Sequence, residues 1–365
     1  MTLHRLVFMS LLGTFSCGAP SGGGGSVHVT VSGEASAIDG VSVQDGWEIQ
    51  FTHVLTTFDR ITLSENPDKN AADPSQTGDV VAQVDGPFAV DLAAGGPLDA
   101  KEMNGKAVSL TRITKLNKKA DAALSTTEKY AFGFDTVAAA SNATHVGLSA
   151  DAKAAYQSMV AKGFTVLLQG TATFKGTSCR QTVAGYDFGR LPKVVKFSFG
   201  FKTPTSYKNC ANPELSGADA RGVQVKSNGE TVAQITFHLD HPFWEALEED
   251  APLRWDAIAA RKSVATGAGP ASVEVTEADL MGLDYRDFKD AQGTALPWRY
   301  CGPMEATERV AGTVKYETGS VPYNAAGGAA GLKDFYDYAS YNLSTFGHMN
   351  NDGICYPARN YPSPH

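Results

Sequence analysis

The sequence predicts a mainly β protein, a β-sandwich of eight or nine strands with one crossover helix, followed by a smaller helical and loop-rich C-terminal region. Three observations carry that expectation. Across residues 27–240, short β-branched or aromatic runs alternate with clusters of Gly, Pro, Asn and Asp, the pattern of strands separated by turns. One stretch within that span has helical spacing instead. Beyond residue 240 the texture changes to helix starts and long polar loops.

The expected strands are 27–31, 47–55, 80–90, 107–113, 129–136, 164–174, 194–201, 223–226 and 231–239. That many short strands, each bounded by turn residues, is the sequence pattern of a sandwich. In 231–239, Ala233, Ile235, Phe237 and Leu239 point to one face, and Gln234, Thr236 and His238 share the other with Asp240. The helix opens at Ser149-Ala150-Asp151, sets Tyr156, Met159 and Val160 on one face and stops at Gly163. In the C-terminal region Pro242 suits the start of a helical segment reaching about residue 261. Residues 263–271 read as a loop, 277–289 as a helix and 332–346 as a last helix. The aromatic stripe of that last helix, with Phe335, Tyr338 and Leu343, is expected in the core. Residues 327–331 read as a Gly/Ala linker.

The N-terminus has the build of an export signal over residues 1–16: Arg5, the apolar run Leu6-Val7-Phe8-Met9, then Leu11-Leu12 and small residues. That run is too short to span a bilayer. It ends at Ser16-Cys17-Gly18, and a Gly/Ser tether closes residues 17–26. This stretch resembles bacterial lipoproteins, whose signal ends in a small residue and a cysteine; Thr14 and Phe15 stand where leucine and a small or β-branched residue are usual. The resemblance implies a diacylglyceryl, palmitate-type anchor on Cys17. It further implies attachment in the cell envelope, with Gly18 pointing to the outer membrane.

Setting Cys17 aside leaves Cys179, Cys210, Cys301 and Cys355, an even number that suits two disulfides in an oxidising compartment. Sequence order suggests Cys179 with Cys210 and Cys301 with Cys355, although four cysteines allow three connectivities. A formal charge of −8 argues against a nucleic-acid surface, and the basic cluster Lys115, Lys118, Lys119 reads as a solvated loop.

Nucleophile-elbow, phosphate-loop and His-Glu-x-x-His signatures are absent from the sequence. The densest unusual cluster is residues 237–245, where His238, Asp240, His241 and Glu245 fall together. Imidazole and carboxylate suit zinc or copper, so His238, Asp240 and His241 form the expected ligand set. The alternative is a solvated strand face and a His-Pro junction that only turns the chain. His53 lies on the face of Ile49, Phe51 and Leu55 and reads as a core histidine. Calcium has two weaker candidates. One is the acidic rhythm ending at Asp279, where Ala268 and Pro270 stand at ligand positions; the other is Asn350 with Asp352 in an Asn-Asp-Gly turn. His348 and Met349 suit copper in softness but are adjacent in the chain.

These features point first to a lipid-anchored binding or structural protein with a protein or glycan partner. A periplasmic copper or zinc protein is the alternative. A hydrolase using Asp240 or Glu245 beside His238 is the third reading.

Overall fold

A computed structural model describes residues 25–217, 220–247, 251–302 and 312–362. The expected signal, Cys17 and nearly all of the tether lie outside the described residues. The chain is mainly β, with 37% in strand against 15% in helix.

Two sheets form the body. The smaller runs Gly353–Ile354, Gly347–Met349, Glu230–Phe237, Ser26–Ser32, Lys106–Ile113, Leu98–Asp99, with Ser26–Ser32 parallel to Glu230–Phe237 at its centre. The spine of the larger runs Val273–Thr276, Val194–Phe201, Val166–Phe174, Trp47–Ser64, Lys129–Thr136, Thr205–Lys208, Tyr356–Arg359. Phe237 of the smaller sheet lies 5.2 Å from Phe58 and 6.4 Å from Phe134 of the larger. Such aromatic contacts join the inner faces into one apolar core that also takes Phe346, 3.9 Å from Phe237.

The strands expected from alternation form, but more numerous and differently bounded. Trp47–Ser64 continues well past residue 55. At Asp59-Arg60 the strand carries an irregularity: the pairing register shifts there and Arg60 takes φ 39°. The expected strand 80–90 divides into Val80–Val84 and Phe88–Asp91, because Gly86-Pro87 interrupts the ladder and proline has no N–H to donate. The helix Ala150–Lys162 forms where its signals place it. The Ser149 hydroxyl oxygen accepts from the Ala152 N–H at 3.1 Å, and Gly163 closes the helix in the left-handed region. Ala152, Tyr156 and Met159 pack on Leu55 and Leu167 in a separate small cluster.

The C-terminal region differs most. The segment expected to be helical from Pro242 is a 3-10 turn, His241–Phe243, followed later by a four-residue helix, Asp256–Ala259. Expected helix 277–289 is Glu277–Leu280 alone, and the last helix is Phe335–Leu343. Four strands formed after residue 240 are built into the two sheets, so the division drawn there does not separate two packing units. Backbone polar groups in these short segments gain partners from sheet edges, a long-range effect that local propensity does not report.

The disulfides are Cys179–Cys301 and Cys210–Cys355, which corrects the pairing suggested by chain order. Topology decides it. The Arg180–Gln181 strand pairs with Arg299–Tyr300, and Thr205–Lys208 with Tyr356–Arg359, so cysteines 122 and 145 residues apart become neighbours. Closing loops of that length restricts the unfolded chain by about 5 kcal/mol each on the chain-entropy model, though the loops overlap and the two effects do not add.

A buried ionic network secures the C-terminal segments to the larger sheet. Arg254 Nε donates to Glu245 Oε2 at 2.6 Å, and Arg299 holds both oxygens of Asp256, whose Oδ1 also accepts from Trp47 Nε1 at 2.8 Å. Asp45 Oδ2 accepts from the Trp255 and Asp256 N–H groups at 2.8 and 2.7 Å. All five charged residues are buried. Burial and the neighbouring Asp256 push the Asp45 carboxyl up to about 7.

Candidate metal centre

The strand Glu230–Phe237 delivers the first histidine. Its apolar face, Ala233, Ile235, Phe237 and then Leu239, lies in the core as the alternation requires. Its polar face is not solvated. Gln234 and Thr236 are fully buried because the strand sits inside the sheet and Glu102 and Asn351 cover it: Gln234 Nε2 donates to Glu102 Oε2 at 2.6 Å and Asn351 N–H to Thr236 Oγ1 at 3.0 Å. His238 follows on that covered face. Its backbone N–H donates to Phe346 O at 3.1 Å, tying it to the chain that leads into Gly347–Met349.

Three residues later the 3-10 turn His241–Phe243 brings back a second histidine. Its ring stacks on Trp244 at 3.8 Å. The third, His348, comes from the Gly347–Met349 strand, which pairs with Glu230–Phe237 so that Thr236 faces His348. Alternation along that strand sends Met349 into the core opposite Ile235 and leaves His348 on the other face. One ring nitrogen from each of His238, His241 and His348 lies within 4.8 Å of the other two.

Hydrogen bonding fixes two tautomers. Thr345 Oγ1 donates its only proton to Asn342 O at 2.7 Å, so at 2.9 Å from His241 Nδ1 it must accept. His241 therefore carries its proton on Nδ1 and presents a lone pair at Nε2. His238 Nε2 lies 3.2 Å from Asn351 O, which only accepts, so His238 is protonated at Nε2 and its lone pair is at Nδ1. Both are the arrangement of metal-binding histidines, in which the other nitrogen donates to an outer partner. His348 is 4% exposed, and its Nδ1 makes no hydrogen bond of normal geometry with any described residue.

The electrostatics keep two of these rings, His241 and His348, neutral. Burial, reinforced by His348 and His238, holds His241 well below the usual imidazole range. Burial and His238 push His348 down to about 3, with a small offset from backbone at Asp352 and Thr345. Neutral imidazoles are the form that binds a metal ion. Glu34 lies beside them, its Oε1 3.3 Å from His238 Nε2; burial pushes its carboxyl up to about 7, offset in part by His238. Three imidazoles with a carboxylate near them form a nitrogen-rich donor set that suits zinc or copper and not calcium.

Of the expected ligands, His238 and His241 come together and Asp240 does not join them: its Oδ2 accepts from Trp244 Nε1 at 3.1 Å, turned along the 3-10 segment. Glu245 is not poised beside His238 for acid–base work, because it is buried against Arg254. His53 is half-buried, and its Nδ1 is held 2.6 Å from Asp91 Oδ2 in the larger sheet. The residues of the two calcium candidates have partners within the chain. Asn350 Oδ1 accepts from the Gln234 N–H at 2.9 Å and its Nδ2 donates to Asn212 Oδ1 at 3.0 Å, while Asp352 pairs with Asn351 Nδ2. Asp279 caps a helix, accepting from Thr276 N–H at 2.9 Å and Lys262 Nζ at 2.7 Å. His348, which the sequence offers only beside Met349, is the residue that local sequence reasoning leaves out of the set.

No family model, curated protein or solved structure matches the chain.

Proposed function

We propose that the chain is an exported metal-binding protein that holds one zinc or copper ion on His238 Nδ1, His241 Nε2 and His348. The observation that supports this reading is the meeting of three imidazoles, His241 and His348 buried and His238 half-buried, two with their second nitrogens already engaged and His348 Nδ1 without a partner among the described residues. A cation placed among them meets lone pairs and requires little reorganisation. Glu34 stands beside His238 Nε2, the nitrogen turned away from the ion.

The test is metal titration of chelator-treated protein at neutral pH, read by calorimetry and thermal shift. One equivalent of zinc or copper is expected, with a rise in Tm set by mass action. Absence of both metal binding and a thermal shift would sink the reading.

Export is supported by the two disulfides, which suit an oxidising compartment. Lipid on Cys17 is the proposed means of membrane attachment, since no helix among the described residues is long and apolar enough to cross a bilayer. Intact mass of the membrane-extracted protein reads it directly. A mature chain beginning at Cys17 with a diacylglyceryl increment is expected; an unmodified N-terminus would remove the anchor from the proposal.

A further inference from the structure

Two of the three histidines, His241 and His348, also line a cleft of about 190 Å³. Its other walls are mostly apolar: Trp244, Leu247, Tyr341, Ile354 and Pro357. Ile354 stands at its rim with 47% of its surface exposed, an unusual position for a large aliphatic side chain in a strand whose neighbours are covered. Asn342 lines the same cleft. It is 2% exposed, and its Nδ2 makes no hydrogen bond with any described residue. A buried donor without an acceptor costs about 1–3 kcal/mol, a cost that a ligand oxygen placed there relieves. The cleft thus joins an unmet N–H donor, an unpartnered imidazole nitrogen and an apolar wall.

From this, and resting on the metal reading above, we infer that the cleft binds a small carboxylate with an apolar body, one oxygen on the metal and the other accepting from Asn342 Nδ2. The three protein nitrogens leave a tetrahedral ion one open position, which an oxygen ligand fills. Trp244, Leu247 and Ile354 receive the apolar body and exclude water from the metal–oxygen contact. The volume sets the size. It lies below the roughly 300–1,000 Å³ of pockets that take drug-sized ligands, so the ligand is on the scale of benzoate or a branched aliphatic acid.

The experiment uses the mature chain loaded with Co(II), whose visible spectrum reports the metal's ligands, titrated with benzoate and with acetate, which has the same carboxylate and almost no apolar body. Benzoate is expected to bind at least tenfold more tightly. In Ile354→Trp, where the added ring occupies the cleft, the preference is expected to fall below threefold; Asn342→Ala weakens both ligands by a similar factor. Equal affinities in the wild type, or a phenyl preference that persists in Ile354→Trp, would overturn the cleft while leaving the metal centre standing. Absence of any Co(II), zinc or copper binding would overturn the metal reading and the cleft with it.

Discussion

Two largely buried polar clusters in this molecule differ in charge balance. In the network of Asp45, Glu245, Arg254, Asp256 and Arg299, acids meet bases: the two guanidiniums bond to Glu245 and Asp256, and Asp45 receives two backbone N–H groups. Its polar atoms are mostly answered from within the chain. In the cluster of His238, His241 and His348, bases meet bases: burial and the neighbouring rings lower the affinity of His241 and His348 for protons. The first arrangement is a structural clamp in which opposite charges meet, although Arg254 Nη2 and Asp45 Oδ1 make no hydrogen bond with any described residue. The second is a set of lone pairs that proton binding does not relieve, which is what distinguishes a binding site from a brace.

The largest expected effect tests the clamp. Arg254→Met removes the guanidinium that bonds buried Glu245, and urea unfolding is expected to show a loss of about 3–5 kcal/mol. Metal affinity measured on the folded protein is expected to stay within threefold. A parallel collapse of metal affinity would show that the two regions are not independent.

His348→Phe applies the same logic to the other cluster with the opposite result. Zinc affinity is expected to fall at least 100-fold, while the metal-free chain gains about 1 kcal/mol because a buried unpaired nitrogen is gone. A loss of stability comparable to that of Arg254→Met would show that the histidine is a structural group.

Protons separate the regions by sign. His348 titrates near 3 when folded and near 6.5 when unfolded, so between those values the unfolded chain binds more protons and stability falls as pH falls. The slope is on the order of 1.4 kcal/mol per pH unit for that ring. Asp45 has the opposite sign. Its carboxyl is raised from near 4 to about 7, the folded chain holds the extra proton in that window, and stability falls as pH rises through it. Unfolding free energies of the metal-free wild type, His348→Phe and Asp45→Asn across pH 3–8 are expected to lose one slope each. Curves that stay parallel to the wild type would refute the assignment.

The smallest effect concerns Asp240. Asp240→Asn keeps an acceptor for Trp244 Nε1, so zinc affinity is expected to change by less than threefold in calorimetry. A loss of tenfold or more would restore Asp240 to the ligand set.

Much of this was legible in the chain. Residues 129–136 and 194–201 carry the alternation of their strands, and Ser149 and Gly163 mark the ends of their helix by side-chain and backbone chemistry that acts within a few residues. His238 and His241 stood out because they are close in sequence. The C-terminal strands were not legible, since segments such as Gly353–Ile354 are short and gain their hydrogen bonds from partners far away in the chain.

The sequence by itself determined that the chain is mainly β, that Phe237 and Leu239 face the core and that His238 faces the other way, because period-2 alternation is a local property of the backbone. Only the tertiary structure decided which cysteines pair and that His348, rather than Asp240, completes the histidine group. Both outcomes depend on the order of strands in a sheet, and strand order is set by the packing of the whole chain, with no local signal at Cys179 or His348 to announce it.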